Sequence, residues 1–326
     1  MSIKTYANAI KDVIEQEMRR DQNVFIMGED IAEQGGIFGC TRGLLKEFGE
    51  TRVRNTPISE AGIVGAGVGA ACAGMRPIVE LMYMDFTYVA MDQILNQAAK
   101  TRYVFGGKVK VPMVIRGQQG VGRGNAATHS QSVEAIFMHI PGLKVAMPST
   151  PADAAGLLRS AIRDDNPVMF FEHKALYSTK GEVPDDADFA IPFGKANIVR
   201  EGKDVTIIGT HLYVGKALSA AEKLKAEGIN VEVIDPRTLV PFDKETIINS
   251  VKKTGRAVVV HEAHRTCGVG AEIAAMITEE AFKYLDAPVY RLGAKACPLP
   301  FSLILENAVV PQEEDIINAV KSVLYQ

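Results

Sequence analysis

Short apolar runs at 24–27, 78–81, 111–115, 144–147 and 168–171 alternate with longer stretches whose apolar residues recur at helical spacing, at 60–73, 88–104 and 151–163. Each run is too short for a helix and has the near-continuous apolarity of a strand buried on both faces. Strands of that kind separated by helices point to an α/β fold, a mostly parallel sheet with helices on both faces. Ahead of the first run, Tyr6, Ile10, Val13, Ile14 and Glu17 already lie at helical spacing. That leaves no room for a signal or transit peptide, and the chain is expected to work in the cytoplasm where it is made.

The alternation breaks once. Residues 178–188 are polar and acidic and carry Gly181 and Pro184, as a linker would. A second alternation follows, with strands expected at 205–208, 231–234, 257–260 and 289–291 and helices at 214–227, 243–253, 268–284 and 316–324. Two α/β domains are therefore expected, at 1–180 and 191–326 with a linker at 181–190, in keeping with a chain of 326 residues.

Several function classes are disfavoured. The formal net charge of −3, with no basic cluster, gives no footing for nucleic acid. No window has the apolar length of a membrane span. Cys40, Cys72, Cys267 and Cys297 are far apart and form no Cys-x-x-Cys pair, which argues for reduced thiols rather than a zinc site or a disulfide scaffold. His261-Glu262-Ala263-His264 is not the zinc-protease order and reads as a turn or strand end.

The chemistry-bearing segments each admit a plain reading and a functional one. Gly65-Ala66-Gly67-Val68-Gly69 imitates a dinucleotide fingerprint but lacks a buried strand immediately before it, so close packing of a helix is the simpler reading. Glu60 follows Ser59, a plausible N-cap, and a first-turn glutamate is favourable against the helix dipole. Alternatively its carboxyl enters an apolar cleft beside Ile58 and shares a proton with a heterocycle nitrogen. Met82 and Phe86, just beyond the run at 78–81, are either core or a wall for an aromatic face. His129 ends a glycine-rich loop that begins at Gly117, after a strand, where α/β sites gather; a structural histidine is the alternative. Ala161-Ile162-Arg163-Asp164-Asp165-Asn166-Pro167 ends a helix, as a plain C-cap turn or with oxygens able to hold a hard monovalent cation.

Three segments carry a resemblance. Asn55-Thr56-Pro57-Ile58-Ser59-Glu60, Glu80-Leu81-Met82-Tyr83-Met84-Asp85-Phe86 and Ala127-Thr128-His129-Ser130-Gln131 resemble the β subunit of the E1 component of 2-oxo acid and acetoin dehydrogenase complexes. The resemblance covers essentially the whole chain. It implies a transketolase-like pyrimidine-binding domain followed by a transketolase C-terminal-like domain. It implies that Glu60 hydrogen-bonds N1′ of the aminopyrimidine of thiamine diphosphate, promoting the imino tautomer that deprotonates the thiazolium. Ile58, Met82 and Phe86 would surround that ring, with Met82 standing where some relatives carry a polar residue. His129 would act as acid or base in acyl transfer. A potassium ion would sit at Met113, Ala161, Ile162, Asp164 and Asn166. In the second half, Val233-Ile234-Asp235-Pro236-Arg237 and His261-Glu262-Ala263 match segments of architectural role.

The chain contains no Gly-Asp-Gly run of the kind that opens the diphosphate and Mg2+ site in such enzymes. The resemblance therefore implies a separate α subunit that holds Mg2+, an α2β2 heterotetramer, and delivery of the acyl group to a lipoyl-bearing E2. Leu95-Asn96-Gln97-Ala98-Ala99-Lys100 and Phe105-Gly106-Gly107-Lys108 sit well with acetoin-type subunits, and pyruvate-type subunits share much of the wording. A split transketolase-like subunit acting on sugar phosphates and a non-catalytic scaffolding subunit are the other readings.

Overall fold

In the computed structural model, which describes residues 1–325, the apolar runs of the N-terminal half become the strands of a parallel sheet. The elements are β1 (Ser2–Thr5), α1 (Tyr6–Arg20), β2 (Val24–Gly28), α2 (Leu44–Phe48), β3 (Val53–Asn55), α3 (Glu60–Cys72), β4 (Arg76–Leu81), α4 (Ala99–Val104), β5 (Val114–Gln119), α5 (Glu134–Met138), β6 (Lys144–Ala146), α6 (Pro151–Arg163), β7 (Val168–His173) and β8 (Lys180–Val183). The strands run in the order β6-β7-β5-β4-β2-β3, and every pairing among them is parallel.

Local chemistry accounts for the best-defined boundaries. Helix α6 starts where Thr150 caps it, its hydroxyl accepting from the Asp153 N–H, with Pro151 in the first turn. Its buried face holds α1 through a buried ion pair, in which Glu17, only 1% exposed, accepts from Arg159 and Arg163. Helix α3 is rich in small residues because it lies close on the sheet. A Cβ added at Gly67 would come within 2.8 Å of the Val79 side chain and 3.1 Å of Met113.

Some expectations need correction. The start of the chain is a strand before it is a helix: β1 pairs antiparallel with β8, so the segment expected as linker begins inside a strand. The helix expected at 88–104 is a 3-10 turn at Met84–Tyr88, a π-helical stretch at Gln93–Ala98 and then α4. The strand expected at 111–115 begins at Val114 and runs on through Arg116, Gln118 and Gln119, polar residues that are nevertheless buried.

Residues 1–119 and 136–193 form one compact unit; residues 120–135 join Gly194 and everything after it in a second. The second unit contains β9 (Asn197–Arg200), β10 (Val205–Gly209), α7 (Leu212–Ala226), β11 (Val231–Asp235), β12 (Thr238–Val240), α8 (Lys244–Thr254), β13 (Ala257–His264), α9 (Val269–Ala281), β14 (Tyr290–Ala294), α10 (Leu303–Val309) and α11 (Glu313–Val323). Its sheet runs β14-β13-β10-β11-β9, parallel except for β9 at the edge. Alternate residues of each strand feed two cores. Val205, Ile207, Val231, Val233, Val258 and Val260 pack with α7 and α11, while Ile208, Ile234, Ala257 and Val259 pack with α8 and α9. Among the described residues no helix is long and apolar enough to cross a membrane.

His261 lies within β13, fully buried, beneath the start of α9, where a Cβ at Gly270 would stand 2.7 Å from its Nε2. Neither ring nitrogen has a hydrogen-bond partner among the described residues. Burial, opposed by the Ala263 backbone and helped by the charge of Arg291, lowers its pKa to about 4. Between that value and about 6.5 the unfolded chain binds a proton that the native chain refuses. Stability is thus complete above pH 6.5 and falls by about 3 kcal/mol as the pH drops toward 4. His261→Leu should flatten this part of the urea-midpoint profile between pH 4 and 7. A constant offset between the two profiles would remove His261 as the cause.

Candidate active site

A parallel sheet delivers the loops after its strands to one edge, where ligands of α/β proteins bind. In the first unit β2, β3 and β4 end in register, with Gly28 opposite Asn55 and Glu80. A Cβ at Gly28 would meet the Glu80 carbonyl oxygen at 2.6 Å, so glycine lets the two strands close there. Directly beyond these ends come Glu29, the turn carrying Ile58 and Glu60, and the segment carrying Met82 and Phe86. The structure therefore gathers the residues singled out for the pyrimidine on one edge. Ile58 is 79% exposed and Glu60 only 7%, while Met82 and Phe86 are half-buried. Ser59 occupies the N-cap position of α3, but its hydroxyl makes no capping bond.

Glu29 joins this edge and was missed. It is 5% exposed, and its Oε1 has no hydrogen-bond partner among the described residues. Burial, then the neighbouring charges of Glu60 and Asp30, raise its pKa. Its position immediately after the apolar run at 24–27 was the available signal.

Beneath the edge lies a fully buried charge network. Arg116 on β5 donates from Nε and Nη2 to the two carboxylate oxygens of Glu172 on β7, both at 2.6 Å, and from Nη1 to Glu80 on β4. Tyr177 donates its hydroxyl to Glu172 as well. Burial pulls the Arg116 pKa down, but the Glu172 and Glu80 carboxylates outweigh it and hold the guanidinium well above its ordinary value. For Glu80 burial prevails and its pKa is raised in spite of Arg116.

His129 is found in the second unit, with residues 120–135. Its Nδ1 lies 2.9 Å from the Thr128 hydroxyl and its ring is partly exposed. The loop is closed at its base by the Gly120 N–H, which donates to the Gln131 carbonyl at 3.3 Å.

The turn after α6 is crowded with cationic donors. The Arg76 guanidinium donates to the carbonyl oxygens of Ile162 and Asp164, at 2.9 and 2.6 Å. Lys144 pairs with the Asp164 carboxylate, and Arg102 donates to Asn166 Oδ1 at 2.6 Å. The Ala161 carbonyl accepts from the Asp164 N–H and the Met113 carbonyl from the Val168 N–H. Every residue expected around potassium thus has an oxygen that accepts a bond from a protein donor, and Arg76 braces the turn. Among the described residues no cluster of three or more His, Cys, Asp or Glu side chains could hold a metal ion.

The transketolase pyrimidine-binding domain family matches residues 3–180, and the transketolase C-terminal domain family matches 194–316. The pyruvate dehydrogenase E1 component subunit beta of Rickettsia bellii is 50% identical over 98% of this chain and 98% of its own. The chain belongs to the E1 β-subunit family. The corresponding subunit of Rhizobium meliloti is 48% identical over the whole of this chain and 71% of its own length. The Bacillus subtilis subunit beta of acetoin:2,6-dichlorophenolindophenol oxidoreductase is 46% identical over 98% of this E1 β chain and 96% of its own. A solved structure described as a split gene transketolase, inactive beta4 tetramer, superposes with a TM-score of 0.81 over 98% of both chains. At 23% identity that likeness is one of fold.

Proposed function

We propose that this E1 β chain supplies the pyrimidine-activating half of a thiamine diphosphate-dependent site that cleaves acetoin or pyruvate and passes the acyl group to lipoamide on an E2. Residues 1–180 form the pyrimidine-binding domain and 191–326 the C-terminal domain. Thiamine diphosphate, when bound, supplies a carbon nucleophile that cleaves the bond beside a carbonyl. The observation that carries this reading is the buried Glu60 carboxyl at the start of α3, beside an isoleucine left 79% exposed. A carboxyl kept from water at the rim of an apolar surface can hold a proton on a ring nitrogen that solvent would otherwise exchange. Ile58, Met82 and Phe86 offer the flat apolar contact that orients such a ring. His129 holds or releases the proton that the acceptor sulfur takes up in acyl transfer.

The sequence has no Gly-Asp-Gly run, and among the described residues no cluster of His, Cys, Asp or Glu could hold a metal ion, so we assign the diphosphate and Mg2+ to an α subunit in an α2β2 assembly. Exposed apolar residues of the first unit suit a surface that a partner covers: Ile58 at 79%, Tyr103 at 88% and Val104 at 70%. The test uses the chain reconstituted with its α subunit, thiamine diphosphate and Mg2+. Reduction of an artificial acceptor should proceed with acetoin or pyruvate and far more slowly with branched-chain 2-oxo acids. Silence on all of these, with cofactor bound, would refute the reading.

A further inference from the structure

We infer that Glu306 is a positioning residue that ties the loop bearing His129 to the second unit, so that its loss impairs acyl transfer more than substrate cleavage. The inference rests on the reading of His129 given above. Its starting observation is an inverted helix. In α10, Leu303, Ile304 and Leu305 are exposed by 53%, 81% and 56%, while Glu306 is completely buried. Burying a carboxylate is costly unless it is hydrogen-bonded, so a helix that turns its acid inward needs a partner for it. That partner is the loop: Glu306 Oε2 accepts from the Gly122 N–H at 2.9 Å, and Oε1 has no partner among the described residues.

A second carboxylate works alongside it. Glu262 Oε1, at the end of β13, accepts from the Val121 N–H at 2.8 Å and from the Ser132 hydroxyl at 3.1 Å, gripping the loop near both ends. Val121 is itself packed into an apolar cluster with Ala294, Leu299, Val309 and Val310. The middle of the loop lies on the chain before α10. Gly124, at φ +61°, would bring a Cβ within 2.8 Å of the Phe301 carbonyl oxygen. Gly122 stands at φ +106°, a left-handed conformation that presents its N–H to Glu306. Opening the root of the loop would strip a buried carboxylate of its hydrogen bond. Such charge-assisted bonds hold geometry more firmly than neutral ones. His129, seven residues beyond Gly122, inherits its position from that root.

The experiment compares Glu306→Met and Glu306→Gln in the full chain reconstituted with its α subunit. Glutamine keeps an acceptor for the Gly122 N–H; methionine keeps the volume alone. In Glu306→Met, hydrogen exchange of amides in 120–132 should accelerate about 10- to 100-fold while β10, β11 and β13 keep their protection. Acyl transfer to a lipoylated domain should fall about tenfold, with substrate cleavage measured by an artificial acceptor within about twofold of wild type. Glu306→Gln should recover most of both losses. Unchanged exchange at 120–132 in Glu306→Met would overturn the tether, as would exchange accelerated equally through β10–β13 in both variants. His129→Ala separates the two readings. If that variant transfers acyl groups normally, the role of His129 falls, while the exchange measurement still decides the role of Glu306.

Discussion

Glu60→Gln lowers thiamine-dependent turnover by about 10²- to 10⁴-fold, the range expected when a positioned acid is replaced by an isosteric amide. The amide keeps the volume of the side chain and its place in the first turn of α3. It forfeits the favourable charge at the helix start, a loss of about 0.3–1 kcal/mol, so the chain stays folded and assembles with its α subunit. Assembly by sedimentation and turnover by artificial-acceptor reduction would be measured on the same preparation. A variant that assembles and turns over normally would remove Glu60 from the chemistry and leave it a helix-capping acid. Glu29 offers an independent readout. Its pKa is raised by burial and additionally by the Glu60 charge, so it should move toward its ordinary value when that charge is removed.

Arg116→Met should be the most destabilising single change in the first unit. It leaves Glu80 and Glu172, 2% and 0% exposed, facing one another without the cation between them. Breaking one side of a buried ion pair costs about 3–5 kcal/mol, equivalent to a fall in melting temperature on the order of 10 °C. Lysine would not substitute, because the two parallel bonds to Glu172 need the planar fork of a guanidinium. Adding Glu80→Gln and Glu172→Gln to Arg116→Met should recover part of the loss by removing the stranded charges. A melting temperature unchanged in Arg116→Met would mean that water reaches the network. Glu80 lies two residues before Met82, so the destabilised variant should also bind thiamine diphosphate more weakly.

The elements most legible in the sequence were those whose own residues specify them. Helix α6 lies at 151–163, where its helical spacing put it, and in the structure Thr150, Pro151 and Asp153 fix its start. Glu60 could be placed because it opens α3. The charge network could not be read, because its members lie 36 and 56 residues apart and are brought together only by the pairing of β4, β5 and β7. Arg116 in isolation looks like a surface residue. Strand β9 escaped notice because its residues are exposed or half-buried at a sheet edge and form no apolar run. Strands β1 and β8 likewise form no apolar run, although Val183 at the end of β8 is buried. The stretch at 93–98 keeps an apolar rhythm that an α-helix would share, and the π-helical turn there is a tertiary outcome. That His129 belongs with the second unit follows from Glu262 and Glu306, 141 and 184 residues from their loop partners, at separations no local pattern encodes.

Those separations have a consequence during synthesis. The loop around His129 leaves the ribosome long before the residues that seat it. Val121 waits for Val309 and Val310, and Gly122 waits for Glu306. A nascent or truncated chain ending short of α10 retains the Glu262 contacts to Val121 and Ser132 but lacks Glu306, Val309 and Val310, so the loop around His129 is fully seated only with the last tenth of the polypeptide.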